Sequence, residues 1–372
     1  MKIPLWDLAR QYQSIRGDVL EKVDEVLSGG KYVNGAHLQA FEEKFARYCG
    51  CRFAVGVNSG TDALLLALKS AGFQAGDEAI VPAMTFIATA EVVVHCGGNP
   101  VFVDVEPDSL NLDPDKVERA LTGRTKAILP VHFHGQAVDM DAVRKIAQKH
   151  NLLVVEDCAQ ALGAEYKGVR VGSFGDVGCF SFYPTKHLGA YGDGGIIVTN
   201  NEQMAFKARS LREYGRMLDS PHGKYECDLI GFNSRLDEVQ AAILEIKLKH
   251  LEEWVQKRRA AAAYYDQAFA SVSNLMIPGD NSQARHVYWV YTLRVPDRNA
   301  LQAELARRDI QTFVIYAIPI PFQSAFAYLG YKKGDFPVSE KLSDEMLAIP
   351  LFPEITREEQ NYVIAAVMEA LK

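Results

Sequence analysis

Apolar residues at Ile15, Val19, Leu20, Val23, Val26 and Leu27 recur at helical spacing, so the chain is expected to open with an amphipathic helix. A second helix is predicted over Leu38–Tyr48. Short apolar runs then alternate with helical stretches. The runs are Phe53–Val57, Ala79–Val81, Val101–Val103, Ala127–Val131 and Leu152–Val155; the helical stretches include Asp62–Ala71, Thr89–His95 and Met140–His150. This rhythm predicts an α/β fold, with a mainly parallel mixed sheet between helices. Cys179–Tyr183 and Gly195–Thr199 read as further strands, Glu202–Tyr214 as a helix, and Leu236–Trp254 as one long helix. Val287–Val295 then reads as a strand, Ala300–Arg308 as a helix, Ala317–Phe322 as a Pro-containing stretch and Glu358–Leu371 as a closing helix. The pattern places a large domain over residues 1–250 and a smaller C-terminal α/β domain over 251–372.

Composition narrows the range of functions. The 372 residues are 48% hydrophobic and 23% charged, which suits a globular protein with a sizeable core. The formal net charge of -7 argues against nucleic acid or an anionic membrane as a partner. No apolar run approaches the roughly 18 residues of a membrane span, and the N-terminal MKIPLWDLARQY is no secretory signal, so a cytoplasmic location is expected. The six cysteines include one close pair, Cys49 and Cys51, and no second pair with metal-ligand spacing. Reduced thiols and no bound metal are expected.

Four separated segments carry candidate chemistry. Asn58-Ser59-Gly60-Thr61-Asp62 lies between a strand and a helix, where free backbone N–H groups and the helix dipole suit a phosphate. The same residues also fit a plain helix cap. Glu156-Asp157 ends a strand, and open α/β sheets bind ligands outside those ends; a carboxylate there could hold a protonated ring nitrogen. Phe180 to Gly195 runs from a strand into a loop with a single lysine, Lys186, set among aromatic and Gly residues. An apolar pocket lowers an ammonium pKa from about 10.4 and frees the amine as a nucleophile. Gly231 to Ala242 leads into the long helix, where Asp237 and Glu238 suit the dipole.

Taken in order, these motifs closely resemble the DegT/StrS family of sugar aminotransferases, fold-type I pyridoxal-phosphate enzymes. The likeness runs through Asn58–Ser70, Val81–Ala88, Pro100–Pro107, Pro130–Met140, Glu156–Ala164, Phe180–Gly195, Asn233–Ala242 and Leu347–Pro353. The resemblance implies that Lys186 holds the cofactor as a Schiff base and later moves protons, while Asp157 pairs with the pyridine nitrogen. It assigns Gln160 to the cofactor's phenolic oxygen and Phe86 to its ring face. Gly60, Thr61 and Ser181 would hold the phosphate, with Asn233 contributed by the second subunit of a homodimer. His132, His134 and Tyr316 are the candidate substrate residues, although either histidine also fits a hydrogen-bonded structural role. Arg212, Arg235 and Lys224 are candidates for a diphosphate, or solvated surface charges.

The implied reaction moves an amino group from an amino acid, glutamate by resemblance, to a nucleotide-linked keto sugar. Pyridoxamine phosphate would be the aminated form of the cofactor. The loop Leu188-Gly-Ala-Tyr-Gly-Asp-Gly-Gly195 resembles members acting at C3 of a 6-deoxy keto hexose more than the C4 group. Two positions depart from the family pattern, Pro321 and Leu162, each where a His is usual. A C4-keto sugar or aminocyclitol aminotransferase is the alternative. Related sugar dehydratases carry His in place of the Schiff-base lysine, so Lys186 counts against that class. The complete chemical set counts against a non-catalytic regulator, and no GxGxxG after an early strand supports a nicotinamide enzyme.

Overall fold

The structure is a computed structural model that describes residues 1–217, 221–222, 225–279 and 282–372. Helices α1 (Leu8–Gly29) and α2 (Ala36–Cys49) come first, each closed by a left-handed glycine, Gly30 and Gly50. The chain then alternates: β1 (Phe53–Val57), α3 (Gly60–Ser70), β2 (Glu78–Pro82), α4 (Ala88–His95), β3 (Asn99–Val103), α5 (Pro114–Ala120), β4 (Thr125–Ile128), α6 (Met140–His150) and β5 (Leu153–Asp157). A short hairpin, β6 (Glu165–Tyr166) and β7 (Val169–Arg170), leads to β8 (Val177–Ser181), β9 (Gly195–Thr199) and α7 (Glu202–Leu211).

These strands build a seven-stranded sheet in the order β1-β9-β8-β5-β4-β2-β3. Strand β9 runs antiparallel to both its neighbours and the remaining pairs are parallel, which is the expected mainly parallel mixed sheet. Both faces are covered, so the strands read as continuous apolar runs. Ile196 and Val198 join Phe41, Phe45, Ile146 and Leu244 on one face. Ile197 packs with Leu64, Val92, Val155 and Ala205 on the other.

The long helix α8 (Glu238–Phe269) has 32 residues, well beyond the Leu236–Trp254 expected from its apolar pattern. Its first half packs on the large sheet through Leu244 and Leu251. Its last turns bury Ala262, Tyr265 and Phe269 in a separate core with Leu293, Leu305, Leu347 and Val367. The expected boundary at residue 250 therefore falls inside one continuous helix. Ile3 also belongs to this second core and pairs with Ile310.

The C-terminal part contains β10 (Ala284–Arg285), β11 (Tyr291–Arg294), α9 (Arg298–Arg307), α10 (Pro337–Glu345), β12 (Met346–Ile349) and α11 (Arg357–Ala370). Strands β11 and β12 pair antiparallel, while β10 joins the β6–β7 hairpin. The strand expected over Val287–Val295 is shorter than its apolar pattern, because residues 286–290 are irregular. Their hydrogen bonds run elsewhere: Val287 N–H donates to the Gly135 carbonyl at 3.0 Å and Trp289 N–H to that of His134 at 2.9 Å.

Candidate active site

Strands β1, β8, β5, β4 and β2 all point the same way, so the segments leaving their carboxyl ends converge. Asp157 is the last residue of β5 and lies in register with Cys179 of β8. Beyond β8 the chain turns back on itself, with Lys186 N–H donating to the Tyr183 carbonyl at 2.8 Å and Ala190 N–H to that of Phe182 at 2.8 Å. Gly189 is obligatory in this turn, since a Cβ there would stand 2.1 Å from the Pro184 carbonyl oxygen. Lys186 and Asp157 thus come close enough to interact electrostatically from adjacent strands.

Their surroundings oppose ordinary ionisation. The Lys186 amine sits 3.7 Å from the centroid of the Trp289 ring. Burial brings it down to about 7, partly offset by the charge of Asp157. Asp157 is buried, and that burial pushes its carboxyl up; hydrogen bonds from Thr89 and Ala159 and the nearby Lys186 amine pull the other way. Thr89 Oγ1 donates to Asp157 Oδ2 at 2.8 Å and Ala159 N–H to Oδ1 at 3.1 Å.

At the start of α3, Ser59 caps the helix by accepting from Asp62 N–H at 3.0 Å. Gly60 and Ser181 meet here: a Cβ on Gly60 would lie 2.6 Å from the Ser181 Cβ. Thr61 follows on the same first turn, half-buried. Ser59 thus caps the helix while the Gly60 backbone approaches β8 at Ser181. Phe86 is 53% exposed, with its ring 6.0 Å from that of Tyr316. Gln160 links two other expected residues. Its Oε1 accepts from His134 N–H at 2.8 Å and its Nε2 donates to Tyr316 Oη at 3.2 Å. Burial pushes the Tyr316 phenol up, so it stays protonated.

Both candidate histidines are hydrogen-bonded within the protein. His132 Nδ1 accepts from Val138 N–H at 3.1 Å, so Nε2 carries the proton and donates to Glu156 Oε2 at 3.0 Å. Glu156 also accepts from the N–H groups of Gly172, Phe174 and Gly175, all within 2.8 Å. Strand alternation sends Glu156 to the opposite face from Asp157, and this saturated His–Glu pair is a brace beneath the site. Cys158 lies beside the pair, within 4.8 Å, but these bonds already occupy its nitrogens and carboxylate. His134 bonds Thr292 Oγ1 through Nδ1 at 3.0 Å and stacks on Phe133 at 3.9 Å. Burial holds it neutral, well below the usual histidine range.

The other cations are placed more plainly. Arg212 is buried against Glu42 and the Gly56 carbonyl, which removes it from the diphosphate candidates. Arg235 approaches Glu213 at 3.5 Å, and Lys224 lies outside the described residues. Asn233 is exposed, its backbone bridged to Glu213.

Sequence reading missed two residues of this site. Thr89 stands one turn beyond Phe86 and was legible only as a helix start. Trp289 lies 104 residues from Thr185, whose carbonyl accepts its indole N–H at 3.0 Å, so no local pattern announces it.

The chain is 43% identical over 371 residues to the "Pleiotropic regulatory protein" of Geobacillus stearothermophilus, covering 99% of this chain and 98% of that protein. It is 41% identical over 368 residues to the dTDP-3-amino-3,4,6-trideoxy-alpha-D-glucose transaminase of Streptomyces venezuelae, covering 99% and 96%. The crystal structure of S. venezuelae DesV in complex with a ketimine intermediate superposes with a TM-score of 0.97 at 41% identity, covering 100% of this chain and 99% of that one. The profile of the DegT/DnrJ/EryC1/StrS aminotransferase family matches residues 13–368, and the chain belongs to that family.

Proposed function

We propose that this protein is a pyridoxal-phosphate transaminase that moves the amino group of glutamate to C3 of a nucleotide-linked keto sugar. The family sets the enzyme class, a sugar aminotransferase. The observation that carries the reading is the Lys186 amine, 3.7 Å from the Trp289 ring and near the buried carboxylate of Asp157, where burial lowers the amine.

The residues fit the cofactor. When bound, pyridoxal phosphate supplies an aldehyde for amine exchange and a ring that accepts the electron pair left by α-proton removal. Burial favours the free base of Lys186, so Nζ can attack a carbonyl, take a proton from carbon and return it. Asp157, held toward its charged form by Thr89 and Ala159, would keep a proton on the ring nitrogen. Gly60, Thr61 and Ser181 at the α3 N-terminus would receive the phosphate, and Phe86 would cover the ring. The Gln160 amide, fixed by His134, would reach the phenolic oxygen. Tyr316, joined to the same amide, is the substrate residue that the geometry favours over His132 and His134.

Asn233, exposed on the segment entering α8, would complete the phosphate site of a second copy, making the working unit a homodimer with shared sites. The large domain and the smaller C-terminal one would meet along α8. No helix among the described residues is long and apolar enough to cross a membrane, which accords with a cytoplasmic enzyme.

The choice of C3 rests on the Leu188–Gly195 loop and on the 3-amino sugar named for the Streptomyces relative. The regulatory name of the Geobacillus relative marks the second reading, which the paired Lys186 and Asp157 disfavour. The test is incubation with glutamate and matched 3-keto and 4-keto nucleotide sugars, followed by NMR of the product. Amination of the 3-keto substrate is expected; amination of the 4-keto isomer alone would contradict the regiochemistry, and none with any keto sugar would favour the regulator.

A further inference from the structure

Lys186 is not the only lysine that burial depresses in this region. Lys247, on the inner face of α8, is 1% exposed. Its amine donates to the Gly189 carbonyl at 2.6 Å and lies 4.2 Å from the Tyr191 ring centroid. Among the described residues no carboxylate forms an ion pair with it. A buried ammonium without a carboxylate is costly, and Met or Leu would fill the same volume without that cost.

What Lys247 contacts is informative. Gly189 lies three residues beyond Lys186, in the turn that a Cβ would break against Pro184. The same helix grips the next residues through Gln240, whose Oε1 accepts from Tyr191 N–H at 2.8 Å and whose Nε2 donates to the Tyr191 carbonyl at 3.2 Å. On the other side, His187 Nε2 meets the Val287 carbonyl at 3.0 Å and the Trp289 indole holds Thr185. The loop is thus fixed to α8 on one side and to residues 287–289 on the other.

We propose that Lys247 is a positioning residue, donating from α8 to the Gly189 carbonyl and so fixing the turn that aims the Lys186 amine at its reaction partner. The role rests on the reading of Lys186 given above, but the clamp itself is visible without cofactor. The neutral amine still donates this bond, though more weakly than an ammonium would; burial brings Lys247 down to about 7, with Glu354 opposing.

The test compares full-length Lys247→Met, which lacks the donor, with Lys247→Gln, which keeps one. In the cofactor-free protein, amide hydrogen exchange across residues 186–191 should quicken about tenfold in the Met variant, as loss of one buried hydrogen bond implies, with other segments unchanged. In the cofactor-loaded protein, the pH titration of the visible band should shift and kcat should fall more than KM changes. Gln should recover part of each effect. Wild-type exchange and titration in Lys247→Met would overturn the proposal, as would a Gln variant as impaired as Met. If Lys247→Met does not fold, Gln240→Ala releases the second grip on the loop, and unchanged exchange over 186–191 there would overturn the clamp. A wild-type protein that forms no borohydride-reducible linkage at Lys186 would instead sink the transaminase reading, and the exchange result would still judge the clamp.

Discussion

Lys186 and Asp157 lie near each other and depart from ordinary ionisation in opposite directions. Burial disfavours charge on both, lowering the amine and raising the carboxyl, and each partly offsets the other. Thr89 is the lever on Asp157, so Thr89→Val should raise that carboxyl further. The acid limb of the kcat/KM profile should then move to higher pH, with activity at neutral pH falling roughly tenfold or more, the usual worth of a hydrogen bond to a charged group. An acid limb unmoved by the substitution would separate Thr89 from Asp157's ionisation. Lys186 also leaves a mark on stability. Between about 7 and its ordinary 10.5 the unfolded chain holds a proton on this amine that the folded cofactor-free protein lacks, so stability rises with pH across that window. Lys247 contributes with the same sign. Urea unfolding of the cofactor-free Lys186→Met variant should therefore show a shallower rise from pH 7 to 10; an unchanged slope would mean the amine is not depressed.

At the scale of elements, the site depends on close approach between α3 and β8. Gly60→Ala would place a methyl 2.6 Å from the Ser181 Cβ, forcing the helix start away from the strand. Cofactor affinity should fall at least about tenfold, read by fluorescence titration, because a phosphate at a helix N-terminus depends on backbone N–H direction. Unchanged affinity would remove this helix from the phosphate site. The strands of the large sheet were legible because both faces are covered, giving unbroken apolar runs such as Phe53–Val57 and Gly195–Thr199 that coincide with the observed strands. Helix α8 outran its expected end because its apolar stripe changes partner near Arg258, from the large sheet to the second core, while the backbone continues. Residues 286–290 misled for a different reason. Their apolar side chains suit a strand, yet their backbone bonds reach Gly135 and His134, more than 150 residues earlier. Lys186, Asp157 and Gly60 stand in local motifs that a sequence window can show, whereas Trp289 and the α8 contacts with the Lys186 loop depend on residues far apart in sequence.

At the scale of the whole molecule, the parallel strands deliver five segments to one edge of the sheet, and α8 ties that edge to the C-terminal part. Asn233 is exposed and would serve a second copy. Mixing Lys186→Ala chains with Asn233→Asp chains then tests the shared site. Each homodimer should be inactive, while hybrids should carry one intact site, restoring about a quarter of wild-type activity after equal mixing with random pairing. No recovery, with dimers confirmed by sedimentation, would place Asn233 outside the partner's site. The most direct measurement of the whole account is simpler. Absorbance spectra of the purified protein with pyridoxal phosphate, for wild type and Lys186→Ala, are taken before and after glutamate, followed by borohydride reduction and peptide mass analysis. The account predicts a visible band in wild type that glutamate bleaches, and a cofactor mass fixed on the peptide carrying Lys186, absent in the variant. A wild-type protein with no cofactor linked at Lys186 would contradict it.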